Sequence, residues 1–178
     1  MFKKIIFVLF IFSYNSSIAK TVGEYTGLDL PRFVSTKTSE SNLRLGASED
    51  YPIRIKYIFN NFPLEIIDEY KDWRKIKDID GNEGWMHKRL LKGNRYALIN
   101  QPYSEPVQIL NKPKGKVIGK IGKKNIVKIE RCLLNWCLIE ISNNKGWINK
   151  KNLWGVYENE IIKRPFYQSI INQIWKII

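Results

Sequence analysis

The side chains able to do chemistry in this 178-residue sequence are few and scattered. Its one histidine, His87, directly follows Gly84-Trp85-Met86. Nucleophilic catalysis needs such an imidazole beside a serine or cysteine, with a further group to orient it. The spacing supplies no such set. One histidine and two cysteines do not make the usual four-ligand metal site. The segment Gly115 to Lys124 (GKVIGKIGKK) lacks the spacing of a phosphate-cradling loop. The carboxylate pairs Asp68/Glu69 and Asp78/Asp80 have no constellation around them. The inventory therefore describes a binding protein rather than an enzyme, with no cofactor and no metal.

The two cysteines, Cys132 and Cys137, are separated by Leu133-Leu134-Asn135-Trp136. With Cys132 ending one strand and Cys137 in the next, a hairpin sets them opposite each other at a bridgeable distance. An oxidising compartment favours that bridge. Closing so short a loop is worth about 2 kcal/mol on the chain-entropy estimate. The spacing is not that of a Cys-X-X-Cys redox pair.

Binding chemistry falls to aromatic and basic residues. The formal net charge is +13. Residues 37–99 hold 12 basic and 10 acidic side chains, a net of +2, whereas residues 100–157 hold 11 and 3, a net of +8. Seven lysines lie between Lys112 and Lys128, with Lys120, Lys123 and Lys124 at the centre of the run. Such a patch favours polyanions. Tyr51 and Trp85 are candidates to line an aromatic groove for an extended ligand in the first half of the chain, and Trp147 is the counterpart of Trp85 in the second.

The elements that must hold these residues repeat. Leu43-Arg44-Leu45, Leu64 to Ile67, Trp73 to Ile76, Gly84-Trp85-Met86, Leu91 and Gly93 are followed in the same order by Val107 to Leu110, Ile126 to Ile129, Trp136 to Ile139, Gly146-Trp147-Ile148, Leu153 and Gly155. The tryptophans of each copy are 12 and 11 residues apart, and each Gly-Trp glycine precedes the closing glycine by nine. An internal repeat of this kind organises the whole fold. Period-two alternation marks half-buried strands. Asp80-Gly81-Asn82 and Ser142-Asn143-Asn144 supply turn chemistry between the Trp strand and the Gly-Trp strand, which predicts a hairpin in each copy. Some 50–60 residues of short strands suit a small closed barrel without exposed edges.

These motifs resemble the bacterial SH3-like (SH3b) family, in particular its exported tandem-repeat type. The resemblance is carried by LPRFVSTKTSESNLRLGASEDYP (Leu30 to Pro52), DWRKI (Asp72 to Ile76), DGNEGWMHKRLL (Asp80 to Leu91), NWCLIE (Asn135 to Glu140) and KGWINKKNLWGVYENE (Lys145 to Glu160). It implies an all-β protein of two tandem small SH3-like barrels, each of five or six strands. It also implies a non-catalytic role in the cell envelope, with peptidoglycan, an anionic envelope polymer or another exported protein as partner. It places His87 just past a barrel strand, in a peripheral position. The family's opening Gly-Pro-Gly turn is here Gly46-Ala47-Ser48, so that loop is expected to differ in shape.

The ends complete the reading. Lys3-Lys4, the apolar run Ile5 to Phe12 and the small residues Ser17-Ile18-Ala19 have the layout of a secretory signal peptide over residues 1–19. The run is far shorter than the roughly 20 residues of a membrane span, so none remains after cleavage. An exported protein in the periplasm or envelope seldom meets nucleic acid. The organisation expected is a lead-in over 20–36, repeats over 37–99 and 100–157 joined near Asn100-Gln101-Pro102, and an amphipathic helix over 158–178. Phe166, Tyr167, Ile170, Ile171, Ile174, Trp175 and Ile178 carry its apolar stripe.

Overall fold

The computed structural model describes residues 21–101 and 105–163. The expected signal peptide and the apolar stripe of the C-terminal helix lie outside them. After a small hairpin of β1 (Thr21–Val22) and β2 (Asp29–Leu30), the strands form two seven-stranded antiparallel sheets. The first contains β3 (Arg32–Thr36), β4 (Ser41–Arg44), β5 (Ile53–Tyr57), β6 (Pro63–Tyr70), β7 (Trp73–Lys77), β8 (Glu83–His87) and β9 (Leu91–Lys92), in the order β5-β4-β8-β7-β6-β3-β9. The second contains β10 (Tyr96–Ile99), β11 (Val107–Leu110), β12 (Val117–Ile121), β13 (Ile126–Cys132), β14 (Trp136–Ile141), β15 (Asn144–Asn149) and β16 (Leu153–Trp154), in the order β12-β11-β15-β14-β13-β10-β16. The two orders are the same permutation of successive strands.

The duplication extends to irregularities. Register shifts fall between Leu43/Arg44 and Ile66/Asp68 in the first sheet, and between Ile109/Leu110 and Ile129/Arg131 in the second. Such bulges bend a strand and raise its twist, so each sheet turns back over its own core. One core gathers Leu30, Val34, Leu43, Tyr57, Leu64, Ile66, Ile76 and Met86. The other gathers Ala97, Ile99, Val107, Ile121, Val127, Ile129, Ile139, Ile148, Leu153, Val156 and the two cysteines. Two separate cores establish two units rather than one continuous sandwich.

One expectation is corrected. The sheets are not closed: their end strands, β5 and β9 in one and β12 and β16 in the other, do not pair. Arg54 and Lys56 on β5 and Lys120 on β12 are exposed instead, and charge on an open edge discourages further strand addition. Arg32–Thr36, just ahead of the expected repeat start at residue 37, pairs with β6 and β9 in the first sheet. Tyr96–Ile99 pairs with β13 and β16 and so opens the second unit. Gly93-Asn94-Arg95 separate β9 from β10, and the polar, proline-bearing stretch after Asn100 lies between β10 and β11. Of the expected helix over 158–178 only residues 158–163 are described, where Glu158-Asn159 form a turn and Ile162 bridges Cys132.

Candidate functional site

The Gly-Trp strand needs its glycine for packing. A Cβ on Gly84 would lie 2.7 Å from the Arg44 carbonyl oxygen, and one on Gly146 would lie 2.2 Å from Ile109 Cγ2. That closeness seats β8 on β4 and β15 on β11, with Arg44 opposite Trp85 and Leu110 opposite Trp147. On the adjoining hairpins, Trp73 faces His87 and Trp136 faces Asn149. His87 Nδ1 accepts from the Arg89 backbone N–H at 3.2 Å, and Asn149 Oδ1 accepts from that of Lys151 at 3.1 Å. Each begins a single 3-10 turn, Lys88–Leu90 or Lys150–Asn152. The lone histidine is thus a turn cap, packed edge-on against Trp73 with ring centroids 5.3 Å apart.

These equivalent positions line equivalent cavities of very different size. In the second unit a groove of about 530 Å³ is lined by Gln101, Pro106, Val107, Gln108, Leu110, Trp136, Asn149, Lys151 and Asn152. In the first, Asn42, Arg44, Glu49, Trp73, His87, Arg89 and Leu90 surround only about 40 Å³. The eight residues between β4 and β5 explain the difference. Tyr51 lies against Gly46, its carbonyl accepts from Arg44 Nη1 at 2.7 Å, and Glu49 pairs with Arg89 at 2.7 Å across the cavity mouth. Both partners of that pair are about two-thirds exposed, so it contributes at most about 1 kcal/mol. In the second unit only six residues join β11 to β12. They close on themselves through bonds between Asn111 and Lys116, and they include Lys112 and Lys114 but no acid.

Beside the groove, Lys150 is buried and donates to the carbonyls of Leu134, Glu158 and Glu160 at 2.7–2.9 Å. Burial pulls its pKa down, opposed by the charges of Glu160 and Glu158. It fastens the chain after β16 to the hairpin closed by the Cys132–Cys137 disulfide, whose cysteines pair directly in register. The expected bridge is present.

The structure redistributes the expected ligand-binding residues. Tyr51 is exposed and Trp85 half-buried, and neither lines the small cavity of its unit. Trp147 is 6% exposed and lies under the Arg131 guanidinium, 4.8 Å from its ring centroid. It is therefore core, not an offered aromatic face. Trp136, a repeat position that the sequence places in the barrel core, is half-buried and lines the open groove. Its signal was the Trp136-to-Asn149 register, where a polar residue replaces His87. Lys120, Lys123 and Lys124 are exposed and outside the lining, but Lys120 is the cross-strand neighbour of Gln108 within it. Among the described residues no cluster of His, Cys, Asp or Glu could hold a metal ion, and no helix is long and apolar enough to cross a membrane.

The family model for the bacterial SH3 domain matches residues 37–93 and 105–155, more than half of the chain and both units. The chain belongs to the bacterial SH3 domain family. The SH3 groove beside the first tryptophan of each repeat is thus open in the second unit and nearly filled in the first. No curated protein matches the sequence. Among solved structures, NlpC1 from Trichomonas vaginalis is similar at 12% identity and a TM-score of 0.32, over 74% of this chain and 48% of that one. An NlpC/P60 family protein from Bacillus cereus is similar at 13% and 0.31, over 79% of this chain and 61% of that one. The tandem SH3 chain therefore spans about half to three-fifths of those proteins.

Proposed function

We propose that this protein is an exported, non-catalytic binding module that recognises peptidoglycan or a polymer attached to it. The open groove of the second SH3 unit carries the reading. It combines the half-buried Trp136 indole, the amides of Gln101, Gln108, Asn149 and Asn152, and the Lys151 ammonium. An apolar platform ringed by a few polar groups is the usual make-up of a small-ligand site. The chain's one histidine, His87, lies in the other unit and caps a turn.

Sedimentation with purified sacculi tests the proposal. The parent protein is expected in the pellet, and Trp136→Ala, checked for folding by circular dichroism, in the supernatant. A parent that stays in solution would remove the reading. A second reading, docking to another exported protein, is favoured by Leu133, Leu134 and Ile161, which are 43–58% exposed around the disulfide hairpin. Leu133→Ser with Leu134→Ser would leave sacculus binding intact if the groove is the site, and abolish capture of an envelope protein if the hairpin is.

A further inference from the structure

The unequal cavities point to the chemistry of the ligand. Arg89 and Lys151 hold equivalent places, two residues after the cap of each 3-10 turn. In the first unit the cation is met by a carboxylate of the chain itself, Glu49, at 2.7 Å. In the second unit the corresponding loop is two residues shorter and brings lysines instead of Glu49 and Asp50. Among the described residues no carboxylate pairs with Lys151, and none lines the groove of about 530 Å³. Glu158 lines the adjoining cleft, which shares Asn149 and Lys151 with the groove.

We infer that Glu49 occupies in the first unit the place that a ligand carboxylate occupies in the second. The second unit then binds the free carboxylate end of a peptide. The carboxylate sits on Lys151, the peptide backbone lies along the amides of Gln108 and Asn149, and a side chain packs on Trp136. The first unit is blocked by its own Glu49. The choice of a peptide follows from the lining, since side-chain amides match backbone N–H and C=O groups while a bare polyanion would need only charge. This inference rests on the wall-binding reading and narrows it to the peptide part of that material. It also assigns the two SH3 units different tasks, one binding and one closed.

The test uses the full chain and two soluble probes, a short N-acetylated alanine peptide with a free C-terminal carboxylate and the same peptide as its amide. Amide and indole NMR shifts locate the contact. The free acid is expected to move Trp136 and Lys151, and the amide form to bind about tenfold or more weakly, since charge-assisted hydrogen bonds are the strong ones. Lys151→Gln is expected to lose the preference for the acid. Glu49→Ala, at an exposed pair, is expected to add acid-dependent shifts at Arg89 and Trp73. Equal binding of acid and amide, or an unchanged preference in Lys151→Gln, overturns the inference. No new shifts in Glu49→Ala overturn the role given to Glu49. Sacculi run in parallel separate the two claims. Sedimentation without acid preference leaves the wall-binding reading standing alone. Acid preference without sedimentation leaves only the carboxylate site.

Discussion

Glu69 shows what one residue does far from the groove. Its side chain is 1% exposed, and it accepts from Thr26 and Arg32 and faces Arg74 at 3.6 Å. Burial works against its charge, but these hydrogen bonds and the two guanidinium groups hold its pKa below the ordinary 4.5. A carboxylate depressed in the folded state contributes stability above its unfolded pKa and loses it as pH falls through the folded one. The urea midpoint is therefore expected to fall steeply below about pH 4.5, and Glu69→Gln to flatten that fall while lowering the midpoint at pH 7. A parallel decline in both proteins would show that other groups carry the acid sensitivity. Residue roles were only partly legible in the sequence. Cys132 and Cys137 could be paired because hairpin register is local. Trp147 was expected to show a face because nothing in the local pattern reveals that Arg131, from the neighbouring hairpin, covers it.

Among the elements, hairpins were legible and unit ends were not. Turn residues lie between the strands they join, so Asp80 to Asn82 and Ser142 to Asn144 announce their hairpins. The first strand of each unit pairs with its last, Thr36 with Leu91 and Ile99 with Leu153, across more than 50 residues. No local pattern encodes that pairing. The Gly-Trp strand makes a firm prediction at this scale. Gly84→Ala drives a methyl group against the Arg44 backbone and Gly146→Ala drives one against Ile109. Each is expected to cost about 1–3 kcal/mol in urea unfolding, the range for overpacking. Gly93→Ala meets nothing within 4 Å and serves as a near-neutral control. Equal costs at all three would mean that backbone freedom, not space, selects glycine there.

At the scale of the molecule the two units are joined by a shared aromatic cluster. Phe33 of the first packs on Trp154 and Tyr157 of the second, with centroids 5.2 and 4.7 Å away. The Tyr157 hydroxyl donates to Glu65 at 2.9 Å, and Arg95 lies over the Phe33 ring while pairing with Glu160. Phe33 is buried, so Phe33→Ala is expected to cost about 3 kcal/mol. It should also split a single calorimetric transition into two as the units uncouple. One sharp transition in the variant would place the coupling elsewhere. Charge is the other property of the whole, +8 in one sequence half against +2 in the other. Binding to an anionic polymer is expected to weaken steeply with salt, because fields from exposed lysines are screened over about 8 Å at physiological ionic strength. Replacing Lys120, Lys123 and Lys124 with Gln should weaken it further with little change in stability. Unchanged binding would mark these lysines as solvated surface.

The pairing of first strand with last has a genetic corollary. Because the chain enters and leaves each unit at the same end of its sheet, and three residues, 93–95, separate one unit from the next, a coding segment from Arg32 to Arg95 is a cassette. Copied in frame, it would add a complete unit without rethreading a neighbour. Once copied, each cassette is free to diverge at its own loop between the second and third strands, as LGASEDYP (residues 45–52) and NKPKGK (residues 111–116) have done.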